Sequence, residues 1–254
     1  MNVPKISIIT VTFNAENYIE ATLKSVAQQT YPNIEYLIID GGSTDRTLEI
    51  IHPYQKYITQ VISEPDQGLY DAMNKGLALA TGEYVWFINA GDEIYDKQTL
   101  TKVLRPKPWA DVYYGEAMFH DLNRKPLGLR SEVTPHKLPA SLTWQSMKMG
   151  MVVCHQSFIV RRAIAPNYDW QTYPYSADIE WVIQCLKRAR SVVNTQMILS
   201  IYLQGGFSRR HLKNSLKDRY RILKKHFGFF PNLWNHFLII LRSFIFLLKR
   251  RKMY

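Results

Sequence analysis

Residues 63–92 read SEPDQGLYDAMNKGLALATGEYVWFINAGD, and the folding of this stretch decides the rest. Leu69–Ala80 has the composition and spacing of a helix, and the EPDQG before it is turn chemistry. Tyr84–Asn89 is a short, continuous run dominated by apolar residues, as in a strand covered on both faces. A helix feeding such a strand is one unit of a parallel sheet. The strand closes on NAGDE, which places Asp92 and Glu93 at its mouth. Acids there call for something positive, either a helix N-terminus or a metal ion.

The same alternation extends toward the N-terminus. Ile6–Phe13 is a buried-strand run rich in Ile, Val and Thr. Glu16–Gln29 has helical spacing, with Ile19, Leu23 and Val26 on one face, and Tyr31-Pro32-Asn33 stops it. A second strand, Ile34–Ile39, leads through the turn GGSTD into a helix ending near Ile51, and Gln60–Ser63 is a short third strand. Alternating strands and helices predict an α/β fold, a mostly parallel sheet flanked by helices. Ligands of such sheets sit at the carboxyl ends of the strands. Asn14, Asp40, Asp66 and Asp92 all fall at or just after those ends.

Beyond Asp111 the alternation breaks down. Residues 125–151 read as loop with short pieces of structure, Trp181–Lys187 as helix, Val192–Tyr202 as strand and Gly205-Gly206 as a turn. The 254 residues are 46% apolar, enough for one large domain and too apolar for a disordered chain. The two cysteines, Cys154 and Cys185, have neither metal-ligand spacing nor the density of a disulfide scaffold, so both are expected reduced in a cytoplasmic compartment. MNVPKISIITVTFN lacks a charged leader and a long apolar core, and no signal peptide is expected.

The net charge of +11 is unevenly placed, because residues 205–254 hold thirteen Lys or Arg against one acid, Asp218. This is a near-neutral body with a basic tail. In the tail, NLWNHFLIILRSFIFLLKRRK is apolar but interrupted by Asn235, His236, Arg242 and Ser243, which share one arc of a helical projection. Ile239 and Phe246 intrude on that arc. The expectation is an amphipathic helix lying in a membrane interface, with Lys249–Lys252 on anionic lipid. A helix docked on the body is the alternative. Sequence patterns remove other classes: no GxGxxG follows the first strand, and neither a P-loop nor HExxH occurs. Rim acids would repel phosphate, so no nucleic-acid partner is expected.

Each rim motif has two readings. Thr12 and Asn14 either bond a planar base or merely finish a core strand. IDGGSTD is a tight turn in which Asp40 or Ser43 caps the next helix, or it leaves the acid for a base or ribose hydroxyl. The stretch from Glu64 to Lys75 is a turn and helix start, yet it spends Glu64, Asp66, Asp71, Asn74 and Lys75 in twelve residues. Asp92 is a metal ligand or the cap of a short helix.

Taken in order, ISIITVTFNAE, IIDGGSTDRT, SEPDQGLYDAMNKGLALATGEYVWFINAGD, CHQSFIVRR, ADIEW and GGFS resemble the inverting family-2 glycosyltransferases. The likeness is to the bacterial exopolysaccharide branch that includes colanic-acid enzymes. It implies the GT-A fold and a UDP-sugar or, next, a GDP-sugar donor. The acceptor would be a glycan or polyprenyl-linked oligosaccharide, and the place of work the cytoplasmic face of the cell membrane. It divides the chain into a nucleotide-sugar half (1–110), an acceptor half (111–210) and a basic tail (211–254). The implied donor-binding residues are Thr12, Asn14, Glu16, Asp40, Asp66, Gly68, Asn74, Lys75, Asn89, Gly91, Arg209 and Arg210.

The family's metal motif is an Asp-x-Asp-Asp pattern, and here Asn89, Ala90, Gly91 and Asp92 stand in it. Asp92 is then the Mn²⁺ or Mg²⁺ ligand, helped by His211, with weakened or nucleotide-dependent metal binding. The family's acidic pair is likewise halved to Ala177 and Asp178, which leaves Asp178 as general base or as a plain helix cap. Acids at i and i+2 cannot share a helix face, so Asp178 and Glu180 should point differently. His155, Gln156, Glu180 and Trp181 are assigned to the acceptor side. The processive QxxRW pattern is absent, which favours one sugar per encounter. Because both acidic motifs are thinned, a non-catalytic nucleotide- or glycan-binding protein, or a membrane-associated partner protein, is the competing reading.

Overall fold

The computed structural model describes residues 3–105, 107–205 and 211–251. The first half folds as the sequence pattern predicts. Strand β1 (Ile6–Thr12) is buried at every position. Its alternation sends Ile6 and Ile8 to one face, Ile9 and Val11 to the other. It pairs in parallel with β2 (Ile34–Asp40) and β4 (Tyr84–Phe87), and β2 pairs in parallel with β3 (Gln60–Ser63). Helices α1 (Ile19–Ala27), α2 (Thr47–Ile51) and α3 (Leu69–Leu79) make the crossovers. Gly76 lets α3 lie close on the sheet, since a Cβ there would meet Ile9 Cγ2 at 2.4 Å.

The second half is mixed rather than parallel. Its elements are β5 (Glu93–Ile94), α4 (Thr99–Leu104), β6 (Val112–His120), β7 (Pro126–Leu129), α5 (Arg130–Val133), β8 (Phe158–Arg161), α6 (Ala177–Arg188) and β9 (Val192–Leu203). The described residues build one nine-stranded sheet in the order β3-β2-β1-β4-β8-β6-β9-β5, with β7 beside β6. Strand β8 is inserted antiparallel between β4 and β6, and β6 runs parallel to β9. The Gly115 region carries a bulge in which a Cβ would lie 2.4 Å from Met197 O. That irregularity explains why the periodicity of 112–120 is weak in the sequence.

Two apolar layers cover the sheet. On one face α3 and α6 pack Tyr70, Met73, Trp181 and Ile183 over Ile9, Val11, Phe87 and Phe158. On the other, α1 and α4 pack Leu23, Val26, Leu100 and Val103 against Ile6, Ile8 and Trp86. The amino ends of the strands are pinned by Glu35, which accepts from Lys5 Nζ (2.8 Å), Ser7 Oγ (2.5 Å) and Thr81 N (2.7 Å). Burial alone would raise this acid, but those bonds hold it at about 2. The opposite, carboxyl ends of the strands are thereby left for a site.

The basic segment divides at Gly228, whose φ is +84°. Before it, α7 (Leu212–Phe227) belongs to the body: Ile222 and Leu223 are buried, and Phe227 stacks on Trp144 at 5.5 Å. After it, α8 (Phe229–Arg251) docks by its polar edge. Asn232 and Asn235 are buried, and Arg242 Nη2 donates to Met149 O at 3.0 Å. Phe230, Trp234, Phe237, Ile240, Phe244 and Leu247 face outward, each more than half exposed. Residues 229–249 of α8 are long and apolar enough to cross a membrane.

Candidate active site

At the end of β2, Asp40 is fully buried and fully engaged. Its carboxylate accepts Ser43 N (2.9 Å), Ser43 Oγ (2.5 Å) and Ser63 Oγ (2.7 Å), tying the GGSTD turn to β3. The helix α2 that follows is served instead by Asp45, which accepts Thr47 N at 2.9 Å. Asp66 meets this turn from the side. Its Oδ1 accepts Gly68 N at 2.8 Å, and its Oδ2 lies against Gly41, where a Cβ would come within 2.4 Å. Burial raises the Asp66 pKa, with the Asp40 charge adding to it. Asn14, at φ +46°, accepts Thr44 N at 2.9 Å, and Glu16 pairs with Arg46 at 3.2 Å. Thr12 Oγ1 is buried with no partner. Thr12, Asn14 and Asp66 thus gather near the carboxyl ends of β1 and β2, with Asp40 sealed in the turn between them.

Asn74 and Lys75 do something else. The Asn74 amide grips the Tyr168 backbone at both N (2.7 Å) and O (3.0 Å), while Lys75 Nζ holds Pro65 O (3.0 Å) and Glu64 (2.8 Å). Both position the segment around Gly68, which starts α3 at φ +114°.

After β4 the chain turns through Gly91 (φ +101°), whose N–H is held by Thr22 Oγ1 at 2.9 Å. Asp92 follows, 5% exposed, and it caps no helix because β5 comes next. Its Oδ1 accepts Leu203 N at 3.0 Å, from the far end of β9. Burial pushes Asp92 up to about 7, against the bonds from Leu203 N and the Gln156 side chain. Asn89 Oδ1, three residues earlier, is buried with no partner. Asp92 N donates to Asn89 O at 2.9 Å, so one tight turn carries a buried carboxylate and an orphaned carbonyl oxygen, donor types that suit a hard divalent cation. No three His, Cys, Asp or Glu gather among the described residues, so phosphate oxygens and water must complete any such shell. His211 is exposed at the start of α7, its ring tilted 5.2 Å from Tyr175. Arg209 and Arg210 lie outside the described residues.

Across the cleft, Asp178 sits in the first turn of α6 and its Oδ1 accepts the Tyr70 hydroxyl at 3.0 Å. Burial and the Asp178 charge push Tyr70 well above its ordinary value, so it stays a donor. His155 Nε2 bonds Tyr168 Oη at 2.8 Å, and burial lowers the ring to about 4 despite the Asp178 charge, which keeps it neutral. Burial pushes the Cys154 thiol up to about 12, and the charges of Asp92 and Asp178 both add to that rise.

Three residues assigned to the acceptor side are engaged within the protein itself. Glu180 is buried toward α7, where it bonds Lys225 Nζ (2.9 Å) and His226 Nε2 (2.7 Å). Trp181 is 1% exposed, stacked on Tyr168 at 4.9 Å, with no face left for a sugar. Gln156 lies beside Asp92 and Cys154 Sγ (3.2 Å) rather than beside Asp178. Sequence reasoning did not find Tyr70 or Tyr168, which complete the Asp178 surroundings. Their only sequence signal was an aromatic inside an otherwise polar motif.

Comparison with known proteins gives this geometry a context. The model for glycosyl transferase family 2 matches residues 7–167. A Mycobacterium bovis BCG protein named as a PGL/p-HBAD biosynthesis glycosyltransferase is 29% identical over 228 residues, covering 86% of this chain and 83% of its own length. Bacillus subtilis TuaG, named for teichuronic acid biosynthesis, is 40% identical over 104 residues, 40% of this chain and 41% of TuaG. Among solved structures, Staphylococcus aureus TarS 1–349 in complex with UDP-GlcNAc superposes with a TM-score of 0.61 at 19% identity, covering 86% of this chain and 65% of that one. The chain spans only 38% of a longer TarS structure. The mannosyltransferase PcManGT of Pyrobaculum calidifontis, in complex with GDP-Man and Mn²⁺, gives 0.63 at 14% identity, covering 95% and 74%. At these identities the structures speak for the fold.

Proposed function

The chain belongs to glycosyl transferase family 2, and from that premise we propose an inverting transfer of one sugar from a nucleotide-sugar donor to an acceptor hydroxyl. UDP-sugar is the first choice of donor and GDP-sugar the next. The acceptor is a glycan or lipid-linked oligosaccharide of polysaccharide synthesis, met at the inner face of the cell membrane. One observation carries the reading: Asp178 Oδ1 accepts the Tyr70 hydroxyl at 3.0 Å, which sets this carboxylate of the second half against α3 of the first.

In this mechanism the nucleotide lies along Thr12, Asn14 and Asp66, over the turn that Asp40 holds together. Asp178 accepts the proton of the acceptor hydroxyl as that oxygen attacks the anomeric carbon. Tyr70 fixes the Asp178 carboxylate by its 3.0 Å bond, leaving one oxygen to take the proton. The bond to the diphosphate breaks on the opposite face, which inverts the centre. Asp92 and Asn89 Oδ1 would hold a divalent cation, whose part is to neutralise charge on the departing diphosphate. Neutral His155 and its Tyr168 partner keep the wall behind Asp178 free of competing charge.

The test is Asp178→Asn. Turnover should fall by about 10²–10⁴-fold, while the thermal stabilisation given by UDP, GDP or their sugars is retained. The anomeric configuration of the product, read by NMR, should be opposite to the donor's. Near-normal turnover in the variant, or retained configuration, overturns the assignment.

A further inference from the structure

Arginines from separate elements converge on the turn at residues 149–152 and on His136. Arg130 on α5 is 8% exposed and donates to Met151 O and Val152 O (2.9 Å for the latter). Arg242 on α8 reaches the same turn, donating to Met149 O at 3.0 Å and to His136 Nδ1 at 3.1 Å. Arg219 on α7 completes the group. Burial and the charges of Arg130, Arg242 and Arg219 together push His136 down to about 3, so the imidazole that Arg242 bonds stays neutral.

Among the described residues, none of the three makes an ion pair, and Glu116 is the carboxylate whose charge reaches Arg130. The Nε atoms of Arg219 and Arg242 are buried with no hydrogen-bond partner. Such donors are costly to bury unless an acceptor arrives. Guanidinium forks match phosphate oxygens, two bonds at a time.

The position says which phosphate. Arg219 lies one turn beyond Ser215 on α7, and Ser215 Oγ bonds Ser176 Oγ at 2.8 Å, two residues before Asp178, so this end of the cluster adjoins the Asp178 side of the site. Arg242 roots α8, and the rest of α8 is an exposed hydrocarbon face from Phe230 to Leu248. An anion site at the root of an apolar helix fits a ligand with an ionic head and an apolar chain.

We propose that Arg130, Arg219 and Arg242 bind the phosphate or diphosphate of an acceptor carried on a hydrocarbon lipid, whose chain leaves along α8. This rests on the reading of Asp178 as the group facing the acceptor.

Calorimetry on the full chain tests it without turnover, using inorganic pyrophosphate, farnesyl diphosphate and farnesol, each with and without saturating UDP. Farnesyl diphosphate should bind at least about tenfold more tightly than pyrophosphate or farnesol, and UDP should not displace it. Arg219→Gln and Arg242→Gln should each weaken it by about 10-fold or more. Among the described residues Arg219 makes no hydrogen bond or ion pair through its side chain, so the melting temperature of Arg219→Gln should stay near wild type. Displacement by UDP, or weaker UDP binding in the variants, would assign the arginines to the donor and overturn the proposal. Equal binding of farnesol, or no binding of either anion at millimolar concentration, overturns it too. A chain that shows the expected pattern yet transfers no sugar keeps the anion subsite and loses the catalytic reading.

Discussion

Gly41 tests whether Asp40 and Asp66 act as one pocket. A Cβ there would lie 2.4 Å from Asp66 Oδ2 and 3.0 Å from its carboxyl carbon. The obstacle is the end of a side chain, so Gly41→Ala displaces Asp66 without touching the core. We expect UDP affinity to fall by about 10-fold, the worth of one charge-assisted bond, with the melting temperature shifted by only a few degrees. Calorimetry with UDP decides; unchanged affinity removes Asp66 from the nucleotide pocket. Single residues were legible in the sequence where a strand or helix end exposed them. Asp40, Asp66, Asp92 and Asp178 are all of this kind. What could not be read was direction. Glu180 lies two positions after Asp178, yet helix geometry turns it to Lys225 and His226, 45 and 46 residues away. Tyr70 meets Asp178 across 108 positions, and no local pattern encodes that pairing.

At the scale of elements, the α6–α7 contact is an electrostatic clamp. Glu180 is buried, and although burial alone would raise it, bonds from His226, Gln184 and Lys225 hold it at about 2. The unfolded carboxyl titrates near 4.5. A depressed acid stabilises the fold above the unfolded value and loses that contribution as pH falls toward the folded one. Glu180→Gln should therefore cost about 1–3 kcal/mol near neutral pH. The gap to wild type should close as pH falls from about 4.5 toward 2. Denaturation curves at several pH values check this, and a gap constant with pH would mean that packing, not charge, holds α7. The parallel half of the sheet was legible because its strands are short, apolar and separated by amphipathic helices. Strands β6 and β8 were not. The bulge near Gly115 breaks the period of the first, and the antiparallel insertion of the second between β4 and β6 is a tertiary decision.

For the whole molecule, the near-neutral body and the basic, apolar tail foresaw α8 but not its orientation. The arc of Asn235, His236, Arg242 and Ser243 reads as a water-facing stripe in isolation. In the fold Asn235 is buried and Arg242 bonds the body, so the apolar face is left outward. We expect anionic liposomes to bind the full chain. Four consecutive cations, Lys249–Lys252, contribute about 1 kcal/mol each near an anionic surface, so salt should weaken the binding and the apolar face should keep it from vanishing. A chain cut after Gly228 should stay folded in co-sedimentation and remain in the supernatant, because α7 is retained. If it unfolds instead, α8 is part of the core. This geometry also gives the protein an optical label of its own. Trp234 is 62% exposed on the outward face of α8, whereas Trp86 and Trp181 are sealed at 0% and 1%. An indole leaving water for lipid shifts its emission to the blue, while sealed ones have no water to lose. The colour change on docking therefore belongs chiefly to residue 234, and Trp234→Phe should leave a protein that still binds vesicles but does so almost without changing its fluorescence.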